Sequence, residues 1–91
     1  MLKTDQINAI AQEVSRSHLG KKTVVRVLSQ PTIDSQGKEA LQITIVIEPK
    51  SVAKLSGEQV VDTLFDLQKR LPKEGEDRFP IIEYATPDEL A

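Results

Sequence analysis

The 91-residue chain has no cysteine and no tryptophan, and only one histidine, one methionine and four glycines. Without cysteine there can be no disulfide staple, no thiolate nucleophile and no zinc site of the cysteine-bearing kinds. The same absence suits a reducing compartment, so a cytoplasmic location is expected. Long apolar runs are missing too. The longest, Ile43 to Ile47, is broken by Thr44 and falls far short of the ~20 residues a membrane span needs. No apolar stretch follows Met1-Leu2-Lys3-Thr4-Asp5-Gln6, so neither a signal peptide nor a membrane partner is expected. Gly20, Gly37, Gly57 and Gly75 each sit at a turn or a helix boundary, which leaves none for a phosphate cradle. No P-loop, dinucleotide fingerprint, zinc-binding helix pair or calcium loop can be traced. An enzyme is therefore not expected, and no cofactor, catalytic residue or metal ligand is assigned.

What the chain does have is periodicity. Ile7, Ile10, Ala11, Val14 and His18 recur at spacings of three and four, which predicts a helix over 5–19. Thr4 or Asp5 can cap its start, and Gly20 can close it in a left-handed conformation. The β-branched run Thr23–Leu28 predicts a first strand. Leu41, Ile43, Ile45 and Ile47 alternate with Gln42 and Thr44, so residues 40–48 predict a second strand with one buried face. Between them, Asp34-Ser35-Gln36-Gly37-Lys38 fits a three-residue hairpin loop with Gly37 left-handed. Pairing Asp34 with Lys38 sets Val27 opposite Ile45 and Val25 opposite Ile47. Pro31 cannot donate to a ladder and is expected to interrupt the first strand at a sheet edge.

Ser56-Gly57-Glu58-Gln59 is a capping box for a second helix. Val60, Val61, Leu64, Phe65, Leu67 and Leu71 form its apolar stripe, and Pro72 marks its end. Phe79 to Tyr84 predicts a third strand. Thr86-Pro87-Asp88-Glu89 repeats the capping signature with proline in the first helical position. The fold class expected is α+β, a single small domain over 1–91 with an acidic turn over 85–91. Its two-layer α/β sandwich runs helix-strand-strand-helix-strand. The second helix acts as a right-handed crossover to a parallel third strand, and both helices lie on one sheet face.

The net charge of −2 hides an uneven distribution. Residues 14–54 hold seven basic side chains and three acidic ones, whereas residues 74–91 hold six acidic residues against Arg78 alone. Three surfaces follow. The sheet face away from the helices would carry Val24, Arg26 and Leu28 beside Ala40, Gln42, Thr44 and Val46. Half-polar and uncovered, this face with its edge is the expected protein interface, taking a protein partner or a second copy in a homodimer. Glu83, Asp88 and Glu89 form an acidic contact for a basic protein, as in a small inhibitor or antitoxin-like partner. Lys21, Lys22, Arg26, Lys50 and Lys54 could form a basic patch for phosphates. The element order is loosely similar to one form of the KH module, and that resemblance implies nucleic-acid binding. The Gly-rich clamp loop of such modules is missing, and neither hairpin strand offers an aromatic for base stacking. Two further groups read as structural. His18 reads as a helix-terminal packing group. Glu58, Asp62 and Asp66 form a solvated ridge, with Asp66 in reach of Lys69 or Arg70.

Overall fold

The computed structural model describes residues 1–90. Helix α1 covers Thr4–Leu19, strand β1 Val24–Ile33, strand β2 Glu39–Ile47, helix α2 Gly57–Lys73 and strand β3 Phe79–Ala85. Short 3-10 helices occupy Pro49–Lys54 and Pro87–Leu90, and the first of these has no signal in the apolar periodicity. The sheet order is β1-β2-β3, antiparallel between β1 and β2 and parallel between β2 and β3. This is the α+β sandwich the pattern predicts. Ile7, Ala11, Val14 and Leu19 of α1 share one buried cluster with Leu67 and Leu71 of α2 and with Leu41, Ile43, Ile45 and Ile47 of β2. Both helices therefore lie on one sheet face.

Local chemistry accounts for most of these boundaries. The Asp34 carboxylate accepts from the backbone N–H groups of Gln36 and Lys38, both at 2.9 Å, and Gly37 has φ +81°. The Asp34 N–H donates to the Lys38 carbonyl at 2.9 Å, so this loop fixes the hairpin register as read. At α2 the Gln59 N–H donates to Ser56 Oγ (3.1 Å) while the Ser56 N–H donates to Gln59 Oε1 (3.0 Å), closing the capping box. Lys3, not Thr4 or Asp5, holds the N-cap position of α1, although the Asp5 carboxylate does accept from the Gln6 N–H of the first turn at 3.0 Å. The helix starts at Thr4 itself, and the Lys3 N–H donates to Gln6 Oε1 at 3.0 Å.

Three further expectations change. Val27 does pair with Ile45, but Ile47 pairs with Val24, not Val25, because a bulge falls between Val24 and Arg26. The extra residue lets Val24 and Val27 both enter the core, leaves Val25 exposed and keeps Arg26 outward. Pro31 does not interrupt β1, which pairs through it to Ile33. On an edge strand a missing N–H directed at solvent breaks no ladder bond. The stripe of α2 is narrower than its sequence: Thr63, Leu67 and Leu71 are buried, whereas Val61 and Phe65 are exposed. A three-stranded sheet shared with α1 is too narrow to cover the whole apolar arc.

One buried charge organises the approach to β3. Glu76 is fully buried. Its Oε2 accepts from Arg78 Nε (2.8 Å) and the Arg78 N–H (3.0 Å); its Oε1 accepts from Arg78 Nη2 (3.0 Å) and the Leu2 N–H (2.9 Å). The hydrogen bonds from the Arg78 side chain, opposed in part by burial, hold the Glu76 carboxyl down at about 2 against an ordinary 4.5. The carboxylate thus ties the entry to α1 to the entry to β3, 74 positions apart in sequence.

Candidate functional site

The sheet face opposite the helices follows from the register. Arg26, Val46 and Ala85 form one cross-sheet row and Leu28, Thr44 and Glu83 the next. Gln30, Gln42 and Ile81 form a third, and Thr32, Ala40 and Phe79 a fourth. Six of the seven residues expected here are brought together: Arg26, Leu28, Ala40, Gln42, Thr44 and Val46. Val24 is not among them. The bulge turns it to the helix side, where it is 2% exposed within the core. Ala40 and Val46 lie on the open face but are sealed by their neighbours at 0% exposure. Its accessible apolar surface therefore comes from Leu28, Ile81 and Phe79, the last of these 57% exposed. The reading of the hairpin strands alone missed Ile81 and Phe79, since only the parallel register with β2 puts them on this side.

Gln42 and Glu83 stand in adjacent rows, and Gln42 Nε2 donates to Glu83 Oε2. A groove of about 280 Å³ opens here, walled by Leu28, Thr44 and Glu83, with Leu90 of the last 3-10 helix at its rim. That helix is set by Thr86: its N–H and hydroxyl both donate to Glu89 Oε1, each at 2.8 Å. These bonds hold the Glu89 carboxyl below its ordinary range. The acidic contact residues thus have different employments. Glu83 is engaged by Gln42, Glu89 caps its own turn, and Asp88 is exposed. Glu76 of the same acidic stretch is neutralised internally by Arg78. Ala91, included in the acidic turn by sequence, lies outside the described residues.

The lysines of the basic patch come from two segments that do meet. The Glu48 N–H donates to the Thr23 carbonyl at 2.9 Å, bringing the loop that carries Lys21 and Lys22 against the start of the 3-10 helix that carries Lys50 and Lys54. All four are exposed, and the Glu48 side chain at this junction accepts from Ser51 Oγ at 3.4 Å. Arg26 lies on the open sheet face, in the row of Val46 and Ala85.

His18 has a carboxylate neighbour that its sequence surroundings do not reveal. Its Nε2 donates to Asp66 Oδ2 at 2.9 Å, and Gln59 Nε2 donates to the His18 carbonyl at 3.2 Å. Asp66 thus joins α2 to the last turn of α1 and does not pair with Lys69 or Arg70. Arg70 instead reaches Glu13 at 3.2 Å. The result is a pair of helix–helix clasps on the helix layer, away from the groove on the open face. Among the described residues, no group of three or more histidine and carboxylate side chains is arranged to hold a metal ion. No helix among them is long and apolar enough to cross a membrane. No known family, curated protein or solved structure matches the chain.

Proposed function

We propose that this chain is a protein-binding module whose contact is the uncovered face of its sheet. The observation that carries this reading is the surface of that face. Leu28, Ile81 and Phe79 stay exposed there, beside Gln42 and Thr44 at its centre and one charge on each outer strand. Exposed apolar side chains flanking polar ones give this face the mixed make-up of a non-obligate protein interface. The free edge of β1 supports the reading by being a poor alternative. It carries a bulge at Val25 and proline at position 31, two devices that discourage strand addition. A basic partner held by the acidic end draws less support, since Glu76 and Glu89 already have internal partners and Glu83 belongs to the open face itself. A cytoplasmic location belongs to the same proposal and rests on composition.

Thr44→Arg tests it by planting a charge at the middle of the face while leaving the core untouched. Tagged wild type should retain a specific protein, or an untagged copy of itself, and the variant should lose it with an unchanged melting temperature. Equal retention by both would overturn the reading. Nucleic-acid binding keeps one supporting observation, the meeting of the Lys21-Lys22 and Lys50–Lys54 segments. A salt-dependent shift with single-stranded RNA, abolished by Lys21→Glu/Lys22→Glu, would put that reading first.

A further inference from the structure

We infer that the occupant of the open face is a second copy of this chain, docked face to face about a two-fold axis, with Arg26 of each copy meeting Glu83 of the other. The inference rests on the protein-contact reading above and adds the partner. It comes from the charge pattern. The four cross-sheet rows of the face hold two charged residues, Arg26 on β1 and Glu83 on β3. They have opposite sign, lie on opposite outer strands and stand one row apart. A two-fold axis parallel to β2 lays β1 of one copy over β3 of the other. Each Arg26 then lies one row, about 7 Å along the strand, from the Glu83 of the facing copy, an offset a guanidinium side chain spans. A face carrying both signs in this arrangement is complementary to itself, as an isologous contact requires. A basic or an acidic partner would instead leave one of the two charges facing its own sign.

Arg26 is free to play this part, because it makes no hydrogen bond or ion pair among the described residues. The same axis brings Leu28 of one copy beside Ile81 of the other, one row apart on the same facing strands. The footprint bounds the contact. Three strands about 4.8 Å apart and four rows about 7 Å apart project to roughly 400 Å². Even doubled for side-chain relief, that only reaches the ~800 Å² per partner of a standard interface. Area does not by itself set affinity, but a contact no larger than standard size with a polar centre is expected to be reversible and is looked for between roughly 10 µM and 1 mM.

Sedimentation equilibrium over this concentration range tests the inference with Arg26→Glu and Glu83→Arg. The first variant carries two acidic side chains at these positions and the second two basic ones, so each should repel its own kind and attract the other. The expected result is a wild-type dimer, association roughly tenfold or more weaker for each variant alone, and recovery in their equimolar mixture. A wild type that stays monomeric at ~1 mM overturns the inference. In that case loss of a co-purifying protein by Thr44→Arg would still uphold the contact reading. A wild-type dimer insensitive to Arg26→Glu, Glu83→Arg and Thr44→Arg overturns both. Weakening by the single variants without recovery on mixing overturns the Arg26–Glu83 pairing.

Discussion

Replacing Glu76 with glutamine removes one charge from a site with no exposed surface. The amide keeps the shape of the carboxylate but must present an –NH2 either to the Arg78 guanidinium or to the Leu2 N–H, and all of these are donors. The magnitude follows from the proton affinity. Folding lowers the Glu76 pKa from 4.5 to about 2, and at 1.36 kcal/mol per decade that is roughly 3 kcal/mol of stability. It matches the low end of the ~3–5 kcal/mol cost of breaking a buried pair. For a domain of this size the variant should melt roughly 12–24 °C lower at pH 7. The pH dependence gives an independent check. A depressed carboxyl pKa contributes its stability in full above 4.5 and loses it as pH falls through about 2. Urea denaturation of wild type and Glu76→Gln at intervals from pH 7 to pH 2 should show a gap that is widest at neutral pH and closes on acidification. A gap below ~1 kcal/mol at pH 7, or one that stays constant to pH 2, would refute the assignment.

Two other substitutions probe the core and the end of the sheet. Ile45→Ala opens a cavity at the centre of β2, where Ile45 is fully buried between α1, α2 and its strand neighbours; chemical denaturation should register a loss of about 2–5 kcal/mol. The Tyr84 hydroxyl is buried, with the Thr63 hydroxyl as its polar neighbour but no hydrogen bond of full geometry among the described residues, and burial, offset in part by Thr63, pushes its pKa up. Tyr84→Phe should therefore leave stability equal or raise it by up to ~1 kcal/mol in the same assay, and a loss beyond ~1 kcal/mol would show that the hydroxyl is satisfied.

Signals that are local and chemically explicit carried the sequence reading. Asp34 and Gly37 define their loop within five residues, and Ser56 with Gln59 defines a helix start within four. Leu41, Ile43, Ile45 and Ile47 announce a half-buried strand by alternation alone. What escaped depends on contacts across the chain or on choices between like residues. Val24 and Val25 are chemically identical, so only packing against α1 and β2 decides which one turns inward, and this moved Val24 off the candidate face. Glu76 reads as one of six acids near the chain's end because the Leu2 N–H that completes its shell lies 74 positions away. Asp66 and His18 are separated by 48 positions, so sequence pairs Asp66 with nearer cations. The candidate face was legible along the hairpin, where alternation marks both sides. It was incomplete at β3, because a parallel crossover does not declare its register through any turn.

The most specific claim is that two copies of the chain meet through the open sheet face. Backbone amide chemical shifts recorded from ~20 µM to ~1 mM report that surface residue by residue. Shifts clustered on Leu28, Gln42, Thr44, Ile81 and Glu83, and absent in Thr44→Arg, are predicted. Shifts confined to the outer side of α2 around Val61 and Phe65, or none across the whole range, would contradict it.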